Sequence, residues 1–67
     1  MQTKLVKDLQ PGDKLDLGEG VGAVTRVARS ELFESASGVA YEVEWKDERG
    51  QEGWELITGD TKVAMAE

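Results

Sequence analysis

The sequence predicts an all-β domain, a small antiparallel barrel of five strands. Three observations carry this expectation. Val39-Ala40-Tyr41-Glu42-Val43-Glu44-Trp45 alternates large apolar with polar or small side chains, which is the period of a half-buried strand. A second such stretch, Gly53-Trp54-Glu55-Leu56, follows Asp47-Glu48-Arg49-Gly50, so the two form an antiparallel hairpin. Short turns punctuate the rest and no long helical period intervenes, which makes a barrel the economical architecture. The chain of 67 residues is one domain, 1–67. At this length only about 60% of the unfolded surface is buried on folding, so the core needs nearly every large apolar residue.

Taken in order, Thr3 to Lys7 is a short strand anchored by Leu5 and Leu9. Pro11-Gly12 then marks a turn, because proline presets its φ and glycine accepts a positive one. Lys14-Leu15-Asp16-Leu17 alternates as a strand, and Gly18-Glu19-Gly20, with Gly22 close behind, marks a tight hairpin or a bulged bend. Val21 to Arg29 is rich in β-branched residues, yet Val24 and Val27 have opposite parity, which calls for a bulge near Thr25-Arg26 or for partial burial of both faces. Glu31 to Gly38 reads as a loop with one helical turn around Leu32-Phe33. After the hairpin, Thr58-Gly59-Asp60 is a turn, the place for a short 3₁₀ segment, and Thr61, Val63 and Met65 alternate along a closing strand.

Parity constrains the hairpin. If Val43 and Trp54 share the core face, paired residue numbers sum to an odd value, which rejects a three-residue loop Glu48-Arg49-Gly50. A four-residue loop Asp47 to Gly50 pairs Val43 with Trp54 and Glu42 with Glu55; a two-residue loop pairs Trp45 with Trp54 and Glu44 with Glu55. Either way Glu55 faces another glutamate, a mildly unfavourable arrangement. Tyr41, Trp54 and Leu56 belong to the core on this reading, and Trp45, nearer the hairpin end, is partly exposed.

The missing chemistry is as informative as the pattern. The chain has no cysteine and no histidine, which removes disulfides, thiolate metal sites, the commonest general base and the usual near-neutral switch. No serine, threonine or lysine has an activating base, so the protein is expected not to be an enzyme and to use no cofactor and no metal. The Gly-x-Gly-x-Gly run at Gly18 to Gly22 leads into a strand rather than a helix, unlike a phosphate loop. No apolar run reaches the roughly 18 residues of a membrane span, and the chain reads as cytoplasmic.

The formal charge of -6 is uneven. Residues 1–30 carry Lys4, Lys7, Lys14, Arg26 and Arg29 against Asp8, Asp13, Asp16 and Glu19, whereas residues 31–60 carry nine acids against Lys46 and Arg49 alone. That half disfavours nonspecific nucleic-acid binding and suits a basic protein partner. The partner-binding residues are accordingly expected at Glu42, Glu44, Glu52 and Glu55, with Trp45 and Phe33 as apolar additions. The same carboxylates also supply the polar outer face that a one-sided sheet needs. Phe33 stands in a polar loop, either as a lid on the barrel end or as an exposed contact. Open strand edges also leave room for a homo-oligomer.

Leu9-Gln10-Pro11-Gly12-Asp13-Lys14-Leu15, the glycine-broken bend, Val24-Thr25-Arg26-Val27, the acidic Tyr41-to-Trp45 strand and Asp60-Thr61-Lys62-Val63 together resemble the short SH3-like barrel proteins of actinobacteria and their phages. The resemblance covers most of the chain and implies an SH3-like five-stranded barrel of phage or bacterial origin. A Pro-Gly-Asp turn before a strand also opens translation-type SH3-like domains and self-splicing Hint domains; the latter need a histidine, which this chain lacks. The expected function is a small acidic protein-protein interaction module. An acidic nucleic-acid mimic that inhibits a DNA-binding protein is the alternative, and direct nucleic-acid binding through the basic first half comes third.

Overall fold

The structure is a computed structural model that describes the backbone of residues 2–35 and 38–66, and their side chains except at 31–35. Over the described residues it is all-β, with six strands rather than five: β1 (Gln2–Leu5), β2 (Lys14–Asp16), β3 (Val21–Ser35), β4 (Gly38–Asp47), β5 (Glu52–Thr58) and β6 (Lys62–Met65). They form one antiparallel, barrel-like sheet in the order β1-β6-β2-β3-β4-β5. Each of the six falls on an extended segment of the sequence, so the expected total of five was one short; β1 itself stops at Leu5, where Val6–Asp8 turns into a 3₁₀ segment, two residues earlier than its sequence suggests. That segment, not Thr58-Gly59-Asp60, carries the 3₁₀ geometry. Its turn drops Val6 into the core, fully buried, while the Val6 and Lys7 N–H groups donate to the carbonyls of Thr61 and Gly59.

The predicted Pro-Gly turn forms between Gln10 and Asp13. Asp13 N–H donates to the Gln10 carbonyl at 3.0 Å, and Gly12 takes φ +99°, a conformation that suits glycine. Asp13 ties this turn to β1, since its Oδ2 accepts from the Lys4 ammonium at 2.9 Å and from the Gln10 N–H at 2.9 Å. The Lys4 hydrogen bond foremost, and then the Gln10 N–H, hold the Asp13 carboxyl below the ordinary carboxylate range. A depressed folded-state pKa gives stability that is complete above the unfolded value and is lost as pH falls through the folded one. Asp13→Ala is expected to cost about 1 kcal/mol at neutral pH and to shallow the acid limb of stability. Urea titrations at pH 7 and pH 3 check this: an acid limb as steep as that of the unchanged protein would remove Asp13 from the role.

Val24 and Val27 do face the same side. Val24 pairs with Trp45, Arg26 with Glu44 and Val27 with Val43, so Thr25 is the extra residue of a bulge that resets the parity. The core gathers Val6, Leu9, Leu15, Val24 and Val43, with Val27, Tyr41, Trp45, Ile57, Val63 and Met65 packed around them.

Residues 31–35 and Gly38 are strand rather than a loop with a helical turn; Ala36 and Ser37, in the segment that the sequence reads as a loop, lie outside the described residues. The backbone of β3 continues to Ser35, where Glu34 pairs with Val39 and Ser35 with Gly38. A wide irregularity precedes these pairs, leaving Ser30 to Phe33 opposite Ala40 alone. The strand persists because Gly38 and Val39 offer it a pairing edge, and that pairing outweighs the weak strand preference of a Ser- and Glu-rich segment.

Candidate functional site

The loop between β4 and β5 decides which side chains reach the surface. Gly50 N–H donates to the Asp47 carbonyl at 3.0 Å and Asp47 N–H to the Gln51 carbonyl at 2.8 Å, with Gly50 at φ +82°. This is the three-residue loop Glu48-Arg49-Gly50 that parity had rejected, and it belongs to the common class that ends on a left-handed glycine. Asp47 Oδ1 reinforces it by accepting from the N–H groups of Arg49 (2.9 Å) and Gln51 (2.8 Å). Paired numbers therefore sum to an even value: Tyr41 with Ile57, Val43 with Glu55, Glu44 with Trp54 and Trp45 with Gly53.

That register exchanges the two tryptophans. Trp45 turns inward against the core, and Trp54 lies outside with 64% of its surface exposed. The cause is steric. A Cβ on Gly53 would come within 2.7 Å of the Trp45 ring, and one on Gly22, across the other side, within 2.8 Å. Only glycine at both flanking positions opens a slot wide enough for the indole. Tyr41 is accommodated in the same way beside Gly59, where a Cβ would stand 2.7 Å from the ring.

The outer face of β3, β4 and β5 is consequently built in rows. Arg26, Glu44 and Trp54 form one, Ala28, Glu42 and Leu56 the next, and Ala23, Lys46 and Glu52 a third. Arg26 Nη1 donates to Glu44 Oε2 at 3.1 Å; both side chains are solvent-exposed enough for the pair to act chiefly as a spacer. Trp54 and Leu56 are the apolar centre of this face. Beside the Trp54 ring runs a groove of about 250 Å³ lined by Thr25, Glu44, Trp45, Glu52, Gly53 and Trp54.

Of the expected contact residues, Glu42, Glu44 and Glu52 share this face. Glu55 does not: it takes an inner-face position opposite Val43 and reaches solvent because β5 ends the sheet. No pair of glutamates faces each other across β4 and β5. Trp45 contributes only the floor of the groove, and the side chain of Phe33 lies outside the described residues. Trp54 and Leu56 are the residues that sequence reasoning missed. The signal for them was Gly53, since a glycine inside a strand often marks a close approach by a neighbour, and the neighbour directly across is an indole.

An exposed aromatic ring with carboxylates on either side favours a cationic and partly apolar ligand, through cation–π attraction and charge. Among the described residues no group of three or more acids, histidines or cysteines is placed to hold a metal ion, and no helix is long and apolar enough to cross a membrane.

A solved structure carries this fold. It is a translation initiation factor eif-5a family protein from Naegleria fowleri ATCC 30863, which superposes with a TM-score of 0.83 over 98% of this chain at 10% sequence identity. The match covers 46% of that protein, so this chain corresponds to less than half of its length. No family model matches the sequence and no curated protein matches it.

Proposed function

We propose that the protein is a small non-enzymatic binding module that engages a basic segment of a protein partner through the outer face of the β4–β5 hairpin. The supporting observation is Trp54, 64% exposed in a domain with four aromatic residues. A chain this small has every reason to bury an indole, and here the register turns it to solvent beside Leu56. Tryptophan is enriched among the residues that dominate protein interfaces. Glu42, Glu44 and Glu52 around it steer and select a cationic partner. The sequence resemblance to proteins of actinobacteria and their phages makes an actinobacterial cytoplasm the proposed setting.

Affinity capture from an actinobacterial lysate tests this proposal. A partner retained by the unchanged protein is expected to be lost with Trp54→Ala and weakened about tenfold or more by Glu42→Lys with Glu44→Lys, in line with the cost of truncating an interface anchor. Capture indifferent to all three changes would remove this face from consideration.

The fold likeness to a translation factor favours a second reading, direct nucleic-acid binding through the basic residues of the first half. It predicts a salt-dependent gel shift that weakens on Arg29→Ala.

A further inference from the structure

The sheet has two ends, and they are protected differently. β1 is four residues long and carries Lys4, the short, lysine-bearing edge with which proteins discourage strand pairing. β5 is seven residues long, Glu52–Thr58, without lysine, arginine or proline. Among the described residues it is paired on one side only, to β4. The 3₁₀ turn lies against part of β5, with the Lys7 N–H bonded to the Gly59 carbonyl just beyond the strand. Along Glu52, Trp54, Glu55 and Leu56 the strand is exposed.

Glu55 is the unusual residue on this edge. It is the acid among the inward-facing positions of β5, between Gly53 and Ile57 and opposite Val43. A charge directed inward on an edge strand is a recognised guard against self-pairing. Two copies meeting antiparallel about Glu55 would set carboxylate against carboxylate, which disfavours the homotypic pair. An incoming strand with lysine or arginine at that position satisfies the charge instead. On the opposite face the same strand meets Trp54 and Leu56, which call for apolar side chains. The edge therefore specifies an alternating pattern, cation inward and apolar outward.

We propose that β5 accepts an extended segment of the partner protein as a seventh strand, with a lysine or arginine beside Glu55 and apolar residues beside Trp54 and Leu56. This rests on the protein-binding reading above and specifies how the contact is made. In strand addition the main-chain hydrogen bonds supply affinity and alternate side chains supply choice.

The test uses three synthetic eight-residue capped peptides titrated into the labelled full chain: alternating valine and lysine, alternating valine and glutamate, and the valine-lysine peptide with N-methyl groups on the amides of one edge. The valine-lysine peptide is expected to slow amide exchange along β5 and to bind about fivefold or more tighter than the valine-glutamate one. Glu55→Lys, a change at an exposed position, is expected to invert that preference, and Glu55→Gln to abolish it. The N-methylated peptide is expected not to bind. Equal binding of the N-methylated peptide, or a preference unmoved by both Glu55 changes, would overturn strand addition, as would absence of protection in β5. The lysate capture with Trp54→Ala judges the broader reading separately, so a partner lost there while strand addition fails leaves side-chain docking on the outer face.

Discussion

Trp45→Ala is expected to lower the stability of the domain by about 3 kcal/mol or more, whereas Trp54→Ala costs less than about 1 kcal/mol. The two residues have the same side chain, lie on adjacent strands and differ in the face that the register assigns them. Trp45 fills the slot between Gly22 and Gly53 and packs on the core, so its removal leaves a cavity that the surrounding sheet cannot close. Trp54 loses only partial contacts on the surface. For a chain of 67 residues, whose whole stability is of the order of 3–10 kcal/mol at typical values per residue, the first change leaves little folded protein and the second leaves most of it. Urea unfolding of both variants, followed by circular dichroism, reads the difference. Equal losses would mean that both indoles contribute to packing and would contradict the assignment.

Gly53→Ala is the second large effect. A methyl group at that position lies within 2.8 Å of three atoms of the Trp45 ring system, a separation that forces either the indole or the strand to move. Overpacking of this kind costs about 1–3 kcal/mol, even though alanine is ordinarily the better strand residue of the two. Gly22→Ala meets the ring at 2.8 Å and the end of Leu17 at 2.9 Å, so it is expected to act in the same direction. Pairing Gly53→Ala with Trp45→Leu provides the control: a smaller side chain in the slot relieves the clash, and the double variant is expected to lose less than the sum of the single changes. Strict additivity would show that the glycine serves the backbone rather than the ring.

Much of the architecture is visible in the sequence because it depends on local rules. The Pro11-Gly12 turn, the bulge at Thr25 and the glycine-broken bend before Val21 follow from φ preferences and from the parity of Val24 and Val27, and the structure has them where those rules place them. The β4–β5 register is different, because two strands with alternating patterns can be paired in either parity and the choice falls to the loop and the packing. Ranking Trp54 by size placed it inside. The structure instead obeys the turn chemistry of Asp47 and Gly50 and the space that Gly22 and Gly53 leave for Trp45. Half of the candidate face was legible for the same reason: Glu42, Glu44 and Glu52 stay outside in the observed parity, but Glu55 and Trp54, on the other strand, change sides together. The continuation of β3 past Arg29 rests on a tight pairing of Glu34 with Val39 and Ser35 with Gly38, which the weak strand preference of this Ser- and Glu-rich segment does not announce.

The functional proposals inherit this register. If β5 were shifted by one residue, Trp54 would return to the core, Glu55 would move to the outer face, and neither the apolar contact nor the inward-facing charge on the edge would exist. Acrylamide quenching of two single-tryptophan variants tests the register most directly. Trp54→Phe, which keeps Trp45, is expected to show blue-shifted emission and weak quenching; Trp45→Phe, which keeps Trp54, is expected to emit as a hydrated indole and to be quenched readily. Protection of Trp54 together with free access to Trp45 would contradict the account.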